Sequence, residues 1–267
     1  MQIGTVRTDI GTRAARLEAD HIVLLDAPDA ASIIRADALG AAAMASGTRI
    51  SLAAANWTVP VPDPDKIICV GLNYHEHVKE MGREVPEHPM YFAKFRSALI
   101  GDRDHIRLPP PDVSAAVDWE VELAVVIGRP ARRVAAAEAL DYVAGYTVLN
   151  DVSMRDWQRR TPQYLAGKTF EGCTPVGPVI TTTDELGDGR GLRVRTVVDG
   201  EVKQDSTTDE LIFGVAELIE DLSKVITLER GDLIATGTPS GVGAGRDPQE
   251  WLTDGSELVT EIEGIGE

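Results

Sequence analysis

Short runs of apolar positions with period-two character dominate the chain, and few stretches carry a helical period. Segments 66–70, 90–95, 119–127, 146–149, 192–198 and 232–236 are rich in β-branched, aromatic or aliphatic side chains and predict strands. Residues 22–25 predict another. Asp199-Gly200 between two such runs fits a two-residue hairpin turn. Over 209–225, Leu211, Ile212, Val215, Leu218, Ile219 and Leu222 recur at helical spacing, with Ser, Thr and Asp cap candidates just before them. Ala-rich stretches at 30–38, opening at Asp29, and at 134–142, stopping near Gly145, predict shorter helices. Many strands with few helices make an α+β, β-dominated fold.

Prolines 60, 62 and 64 interrupt this pattern. Proline fixes φ, removes a donor and holds its predecessor extended. The segment therefore marks the expected boundary between a small N-terminal subdomain, 1–62, and a main domain, 63–267. Across both, 26 Lys and Arg stand against 43 Asp and Glu, a net charge of −17. Phosphate neutralisation needs a basic face, and no Lys/Arg run is present, so nucleic acid is excluded as a partner. Anionic membrane surfaces are excluded on the same ground. No apolar run approaches the roughly 20 residues that span a bilayer, and the first 25 residues lack a secretory signal pattern. The two cysteines, Cys69 and Cys173, have no metal-binding spacing, and Cys69 reads as a buried structural thiol. A cytoplasmic protein is expected.

The strand 119–127 carries the first chemistry. Alternation places Glu120 and Glu122 on one face with Asp118 beside them, and Trp119, Val121, Leu123, Val125 and Ile127 on the other. Beyond Glu122 the acidic face turns apolar at Ala124 and Val126, where the strand enters the interior. Two carboxylates this close repel by about 2–4 kcal/mol at an effective dielectric near 20. Either one keeps its proton, or a cation binds; the alternative is an edge strand with its acids in water. Asp151 ends the strand 146–149, and if the two strands are neighbours it joins the glutamates. Three carboxylates suit a hard cation such as Mg²⁺ or Mn²⁺ better than Zn²⁺.

Two further clusters accompany the acids. On a short helix between Asn73, a candidate cap, and Gly82, His77 and Glu80 share a face, while His75 points elsewhere. A carboxylate beside an imidazole builds a general base; the same spacing also makes a surface ion pair. Arg155, Gln158, Arg159, Arg160 and Lys168 form a locally cationic segment in an acidic chain, either a solvated loop or a site for an anionic, oxygen-rich substrate. The glycine-rich run after the strand 232–236, including Gly237 and Thr238, offers backbone N–H groups and a hydroxyl to a carboxylate. It lacks the phosphate-loop signature.

Val70-Gly71-Leu72-Asn73-Tyr74 with His77 and Glu80, Glu120-Val121-Glu122-Leu123, Asn150-Asp151, Arg155-Asp156, Gln158, Lys168-Thr169-Phe170, Cys173 to Pro178, and Gly231-Asp232 through Thr236-Gly237-Thr238-Pro239 occur in this order. Together they resemble the fumarylacetoacetate hydrolase family over roughly 65–266. The resemblance implies a mixed β-sandwich roll, usually a homodimer, with a variable N-terminal subdomain. It implies that Glu120, Glu122 and Asp151 bind one Mg²⁺ or Mn²⁺, and that His77 with Glu80 is the water-activating dyad on a lid segment. It further places Lys168 and Gln158 near the reacting oxygens, and Arg155, Gly237 and Thr238 around the substrate. Asn73 and Tyr74 stand where the larger catabolic member of the family has a fourth acidic ligand, which points to the shorter bacterial and acylpyruvase-like branch. A small anionic 2-oxoacid is the implied substrate. In that branch one metal-stabilised enolate serves several reactions. Hydrolysis of an acylpyruvate or fumarylpyruvate C–C bond is the first expectation. Isomerisation of 2-hydroxyhepta-2,4-diene-1,7-dioate, and decarboxylation or tautomerisation of oxaloacetate, are the alternatives; a non-catalytic carboxylate-binding protein is the reading from another class.

Overall fold

Every residue of the strand Val121–Ile127 is buried, which requires cover on both faces of the sheet. In the computed structural model, which describes residues 1–267, this strand lies inside a mixed twelve-stranded sheet. It pairs antiparallel with Val143–Asn150 on one side and Leu233–Ala235 on the other. Leu233–Ala235 runs parallel to Ile67–Gly71, whose other neighbour is the antiparallel edge strand Met90–Lys94. In the opposite direction Val143–Asn150 pairs with Thr174–Thr182, which in turn receives Gln2–Thr8. Gly11–Leu17, His21–Leu24 and Arg49–Ser51 complete that half.

Alternation from Val121 onward divides the core in two. Val121, Leu123, Val125 and Ile127 pack against Leu218, Ile219 and Leu222 of the helix Val215–Val225. They also meet Val194 and Ile262, which belong to a separate three-stranded sheet formed by Glu201–Thr207, Arg193–Val198 and Leu258–Ile262. Ala124 and Val126 face the other way, toward Ile33 and Ile34 of the helix Ala30–Arg35, with Ile3, Cys69 and Leu149. Trp119 departs from the expected face. It precedes the regular strand and packs with Val117, Val152, Met154 and Leu252, its indole N–H donating to the Gly241 carbonyl at 3.1 Å.

Residues 1–62 continue the main sheet instead of forming a separate body. Gln2–Thr8 pairs with Thr174–Thr182, and Val59 and Val61 of the proline-rich segment share a core with Leu149 and Leu233. The strands Gln2–Thr8, Gly11–Leu17 and Thr174–Thr182 were not among the predicted ones. In Thr174–Thr182 the reason is chemical: Pro175, Gly177 and Pro178 interrupt it, and the ladder with Val143–Asn150 shifts register between Tyr146 and Val148 to pass them. The Asp29 cap is present, accepting from the Ser32 backbone N–H at 2.6 Å.

Two predicted helices differ. Residues Ala136–Tyr142 form a 3₁₀ helix, and the main helix starts at Val215, not at 209. Gly214 caps it, its N–H donating to the Glu217 carboxylate at 2.8 Å. Leu211 and Ile212, counted on the helical face, are extended because Leu211 bridges to Tyr74 and the Ile212 N–H donates to the Asn73 carbonyl at 2.8 Å. No helix is long and apolar enough to cross a membrane.

Leu123 joins the sheet to the helix layer and is fully buried. Leu123→Ala is expected to lower stability by about 3 kcal/mol, read from urea unfolding; a loss below ~1 kcal/mol would contradict this packing.

Candidate active site

The acids meet because two strand ends meet. Glu122 stands opposite Leu149 in the ladder, and Asp151 follows one residue after the partner strand ends. The Asp151 N–H donates to the Glu120 carbonyl at 2.8 Å, and the Glu120 N–H donates to Oδ1 of Asn150 at 2.9 Å. Carboxylate oxygens of Glu120, Glu122 and Asp151 consequently lie within 4.8 Å of one another, and all three side chains are buried. The edge-strand alternative, with acids in water, is absent. Asp118 does not join the converging set, although Arg155 bridges it to Glu120. It accepts from the Gly243 and Ala244 N–H groups at 2.6 and 3.0 Å and from Arg155 Nε at 2.7 Å.

Buried cations surround the trio unevenly. Lys168 contacts Glu120 and reaches Asp151 Oδ2 at 2.8 Å. Lys94, on the strand Met90–Lys94, donates to Asp151 Oδ1 at 2.6 Å. Arg155 reaches Glu120 Oε1 at 2.6 Å and donates from Nη1 to Gln158 Oε1 at 2.9 Å. Burial opposes charge on Glu120, but Arg155 and Lys168 outweigh it and hold the carboxyl below the ordinary carboxylate range. Burial likewise opposes charge on Lys168, and Asp151 and Glu120 outweigh it, raising the ammonium above its usual value. No lysine or arginine pairs with Glu122, whose Oε2 accepts only the Gly237 N–H, at 2.7 Å. Burial, then the charges of Asp151 and Glu120, push its carboxyl well above the ordinary range.

The glycine-rich run was expected to offer its amides to a substrate. Instead the protein's own acids take them: Gly237 donates to Glu122, Gly241 to Glu80, and Gly243 and Ala244 to Asp118. Arg155 is held by Asp118, Glu120 and Gln158, and the Gly237 N–H is taken by Glu122. Thr238 remains available, buried beside Gly237 with its hydroxyl oxygen accepting from Gln204. Arg159 and Arg160 are exposed, with Arg160 stacked on the Trp157 ring at 3.6 Å. The cationic segment thus divides into buried members, Arg155 and Lys168, and solvated ones.

On the helix His75–Glu80 the two histidines separate as expected, His75 exposed and His77 buried. His77 Nδ1 lies 3.0 Å from Glu80 Oε2. With Nδ1 donating to the Glu80 carboxylate, the neutral ring would present Nε2 as its acceptor. Glu80 is itself fixed, its Oε1 accepting the Gly241 N–H at 2.8 Å. A Cβ on Gly245 would come within 2.5 Å of the Glu80 side chain, which explains a glycine there. Asn73 does not cap the helix; its side chain donates to the Thr236 and Phe213 carbonyls and accepts the Phe213 N–H. It staples the strand ends beneath the site.

Lys94 was not recognised in the sequence. Its signal is a lysine at the end of an otherwise apolar strand, two residues after Phe92, whose ring lies 5.1 Å from Lys168 Nζ.

The family model for the fumarylacetoacetate (FAA) hydrolase C-terminal region matches residues 66–267. The chain belongs to the fumarylacetoacetate hydrolase family. The mitochondrial oxaloacetate tautomerase FAHD2A of Bos taurus is 48% identical over 212 residues, which span 79% of this chain and 67% of that protein. Oxaloacetate tautomerase YisK of Bacillus subtilis is 43% identical over 219 residues, 81% of this chain and 72% of that one. The crystal structure of maleylpyruvate hydrolase from Sphingobium sp. SYK-6, in complex with manganese(II) ion and pyruvate, superposes with a TM-score of 0.81. It is 32% identical, over 100% of this chain and 96% of that one. This member is therefore an enzyme of the family.

The donor set fits a divalent metal. Three hard oxygen ligands converge, and the one without a counter-cation, Glu122, carries the repulsion that a bound cation relieves. Because the Glu122 carboxyl is raised, the metal-free protein loses stability as pH climbs from the unfolded value, about 4.3, through the folded one. The rise in unfolding temperature on adding Mn²⁺ is accordingly expected to grow with pH across that window. Glu122→Gln should abolish the growth; an equal Mn²⁺ effect in the variant and the native protein would refute the ligand assignment.

Proposed function

We propose that this enzyme catalyses keto–enol tautomerisation of a small 2-oxo dicarboxylate of the oxaloacetate type, with Mg²⁺ or Mn²⁺ held by Glu120, Glu122 and Asp151. The observation that carries this reading is an oriented base, His77 with Glu80, tied to the acid trio by one loop whose Gly241 and Gly237 amides bond Glu80 and Glu122. His77 is buried and paired through Nδ1 with Glu80, which the Gly241 N–H holds in place. The identity of 43–48% to oxaloacetate tautomerases supports the same reading. A bound divalent cation would supply Lewis-acid stabilisation of enolate charge on the 2-oxo oxygen.

The chain's own groups then have defined tasks. His77 Nε2 moves a proton at C3 of the substrate, and Glu80 offsets the imidazolium charge that forms. In the keto-to-enol direction C3 gives its proton to His77 Nε2 and the 2-oxo oxygen takes one up from solvent, the imidazolium then returning its proton to solvent. The reverse direction retraces these transfers, so no atom enters or leaves overall. Lys168 and Lys94 pair with Asp151 and make the site attractive to a dianion in spite of the chain's negative charge. The Thr238 hydroxyl binds a substrate carboxylate oxygen. Hydrolysis of a C–C bond would use the same base but also needs a water held for attack on the 4-carbonyl. The likeness to maleylpyruvate hydrolase keeps that as the second reading.

His77→Asn and Glu80→Gln are expected to reduce oxaloacetate tautomerisation by about 10²-fold or more, followed by loss of enol absorbance, with Mn²⁺ affinity retained. Parallel assays of acylpyruvate and maleylpyruvate cleavage separate the two readings: faster pyruvate release from these than tautomerisation of oxaloacetate would replace the tautomerase assignment with the hydrolase.

A further inference from the structure

Gln204 is a fully bonded, buried polar side chain near the site, and the chemistry above gives it no part. It sits on the strand Glu201–Thr207 of the small sheet and is 1% exposed. Its Oε1 accepts from the Val121 N–H at 3.1 Å and from the Thr196 hydroxyl at 2.9 Å. Its Nε2 donates to Thr238 Oγ1 at 2.8 Å and to the Pro239 carbonyl at 2.9 Å. All four hydrogen-bonding positions of the amide are filled. Its orientation is also forced. Rotating the amide by half a turn would set NH₂ against the Val121 N–H and oxygen against the Pro239 carbonyl, two repulsive contacts in a buried place.

The forced orientation fixes the polarity of Thr238. Because Nε2 can only donate, Thr238 Oγ1 accepts on that side and its own proton is directed away from Gln204. Val121, whose N–H the same amide holds, lies between Glu120 and Glu122. One side chain therefore ties the acid strand to the threonine and sets both the spacing and the sense of that hydroxyl. We infer that Gln204 is a positioning residue that turns the Thr238 hydroxyl proton away from itself and so favours its donation to a carboxylate oxygen of the substrate at that end of the site. This rests on the proposed carboxylate-binding role of Thr238.

The test is calorimetric binding of pyruvate to the Mn²⁺-loaded protein, which does not depend on turnover, with KM and kcat for oxaloacetate measured alongside. Gln204→Glu keeps the shape but carries at most one donor in place of two. Gln204→Met, uncharged and of the same length, covers the case in which a buried acid prevents folding. Thr238→Val removes the hydroxyl, and Thr238→Ser restores it. Each Gln204 variant and Thr238→Val should weaken pyruvate about tenfold and raise KM similarly, with kcat within about threefold, in keeping with loss of one hydrogen bond to a charged group. Thr238→Ser should recover native affinity, and combining Gln204→Met with Thr238→Val should add nothing further. Folded Gln204 variants with native pyruvate affinity and only a lowered unfolding temperature would overturn the inference, as would additive losses in the double variant. Absence of oxaloacetate turnover with these binding losses intact would overturn the tautomerase reading alone.

Discussion

Buried negative charge is the constraint on which the arrangement of this protein depends. Glu120, Glu122, Asp151 and Asp118 all lie inside, at the mouth of a sheet that excludes water on both faces. Left uncompensated, charges at these separations would cost more than a marginally stable fold can absorb. Lys94, Lys168 and Arg155 cover part of the deficit, and each is itself buried and dependent on the acids. Backbone N–H groups from one glycine-rich loop cover another part. What is left over concentrates on Glu122, which is where a divalent cation has most to contribute.

The same constraint explains why this loop is rich in glycine. A loop that turns successive N–H groups toward three separate carboxylates must adopt backbone angles and close approaches that side chains obstruct. Gly237 and Gly241 both have φ near +102°, and a Cβ on Gly243 would meet the Glu250 carbonyl at 2.0 Å. The loop reads in sequence as a receptor for an external anion. In the fold it is a receptor for internal ones, with the Thr238 hydroxyl the group beside Gly237 that no acid of the protein takes.

Legibility from sequence followed the range of the interaction. Period-two alternation was enough to put Glu120 and Glu122 together and to assign Val121, Leu123, Val125 and Ile127 to one core. Helical spacing was enough to pair His77 with Glu80 and to separate His75. Asp151 needed one assumption, that its strand neighbours the acid strand, which the ladder satisfies. Lys94, Gln204 and the anchoring of Asp118 were not legible, because each depends on contacts between segments distant along the chain and has no local period. The helix boundary at 209 failed for the same reason: apolar spacing continues through Leu211 and Ile212, and only the contact with Asn73 and Tyr74 holds them extended. In Thr174–Thr182 local chemistry misled outright, since prolines that argue against a strand are accommodated at a register shift.

The glycine loop has a consequence for the order in which the molecule is made. Its bonds to Glu122, Asp118 and Glu80 span 115, 125 and 161 residues of chain. The short strand preceding it, Leu233–Ala235, is the piece that joins Ile67–Gly71 to Val121–Ile127. A ribosome that has delivered the first two hundred residues has therefore released every acid and the base, but neither the strand that closes the sheet nor the amides that hold the carboxylates. Until the final stretch emerges, the nascent chain carries two unpaired strand edges beside a knot of mutually repelling side chains. The acid cluster can therefore reach its final bonding only once the segment from 233 to 244 is present.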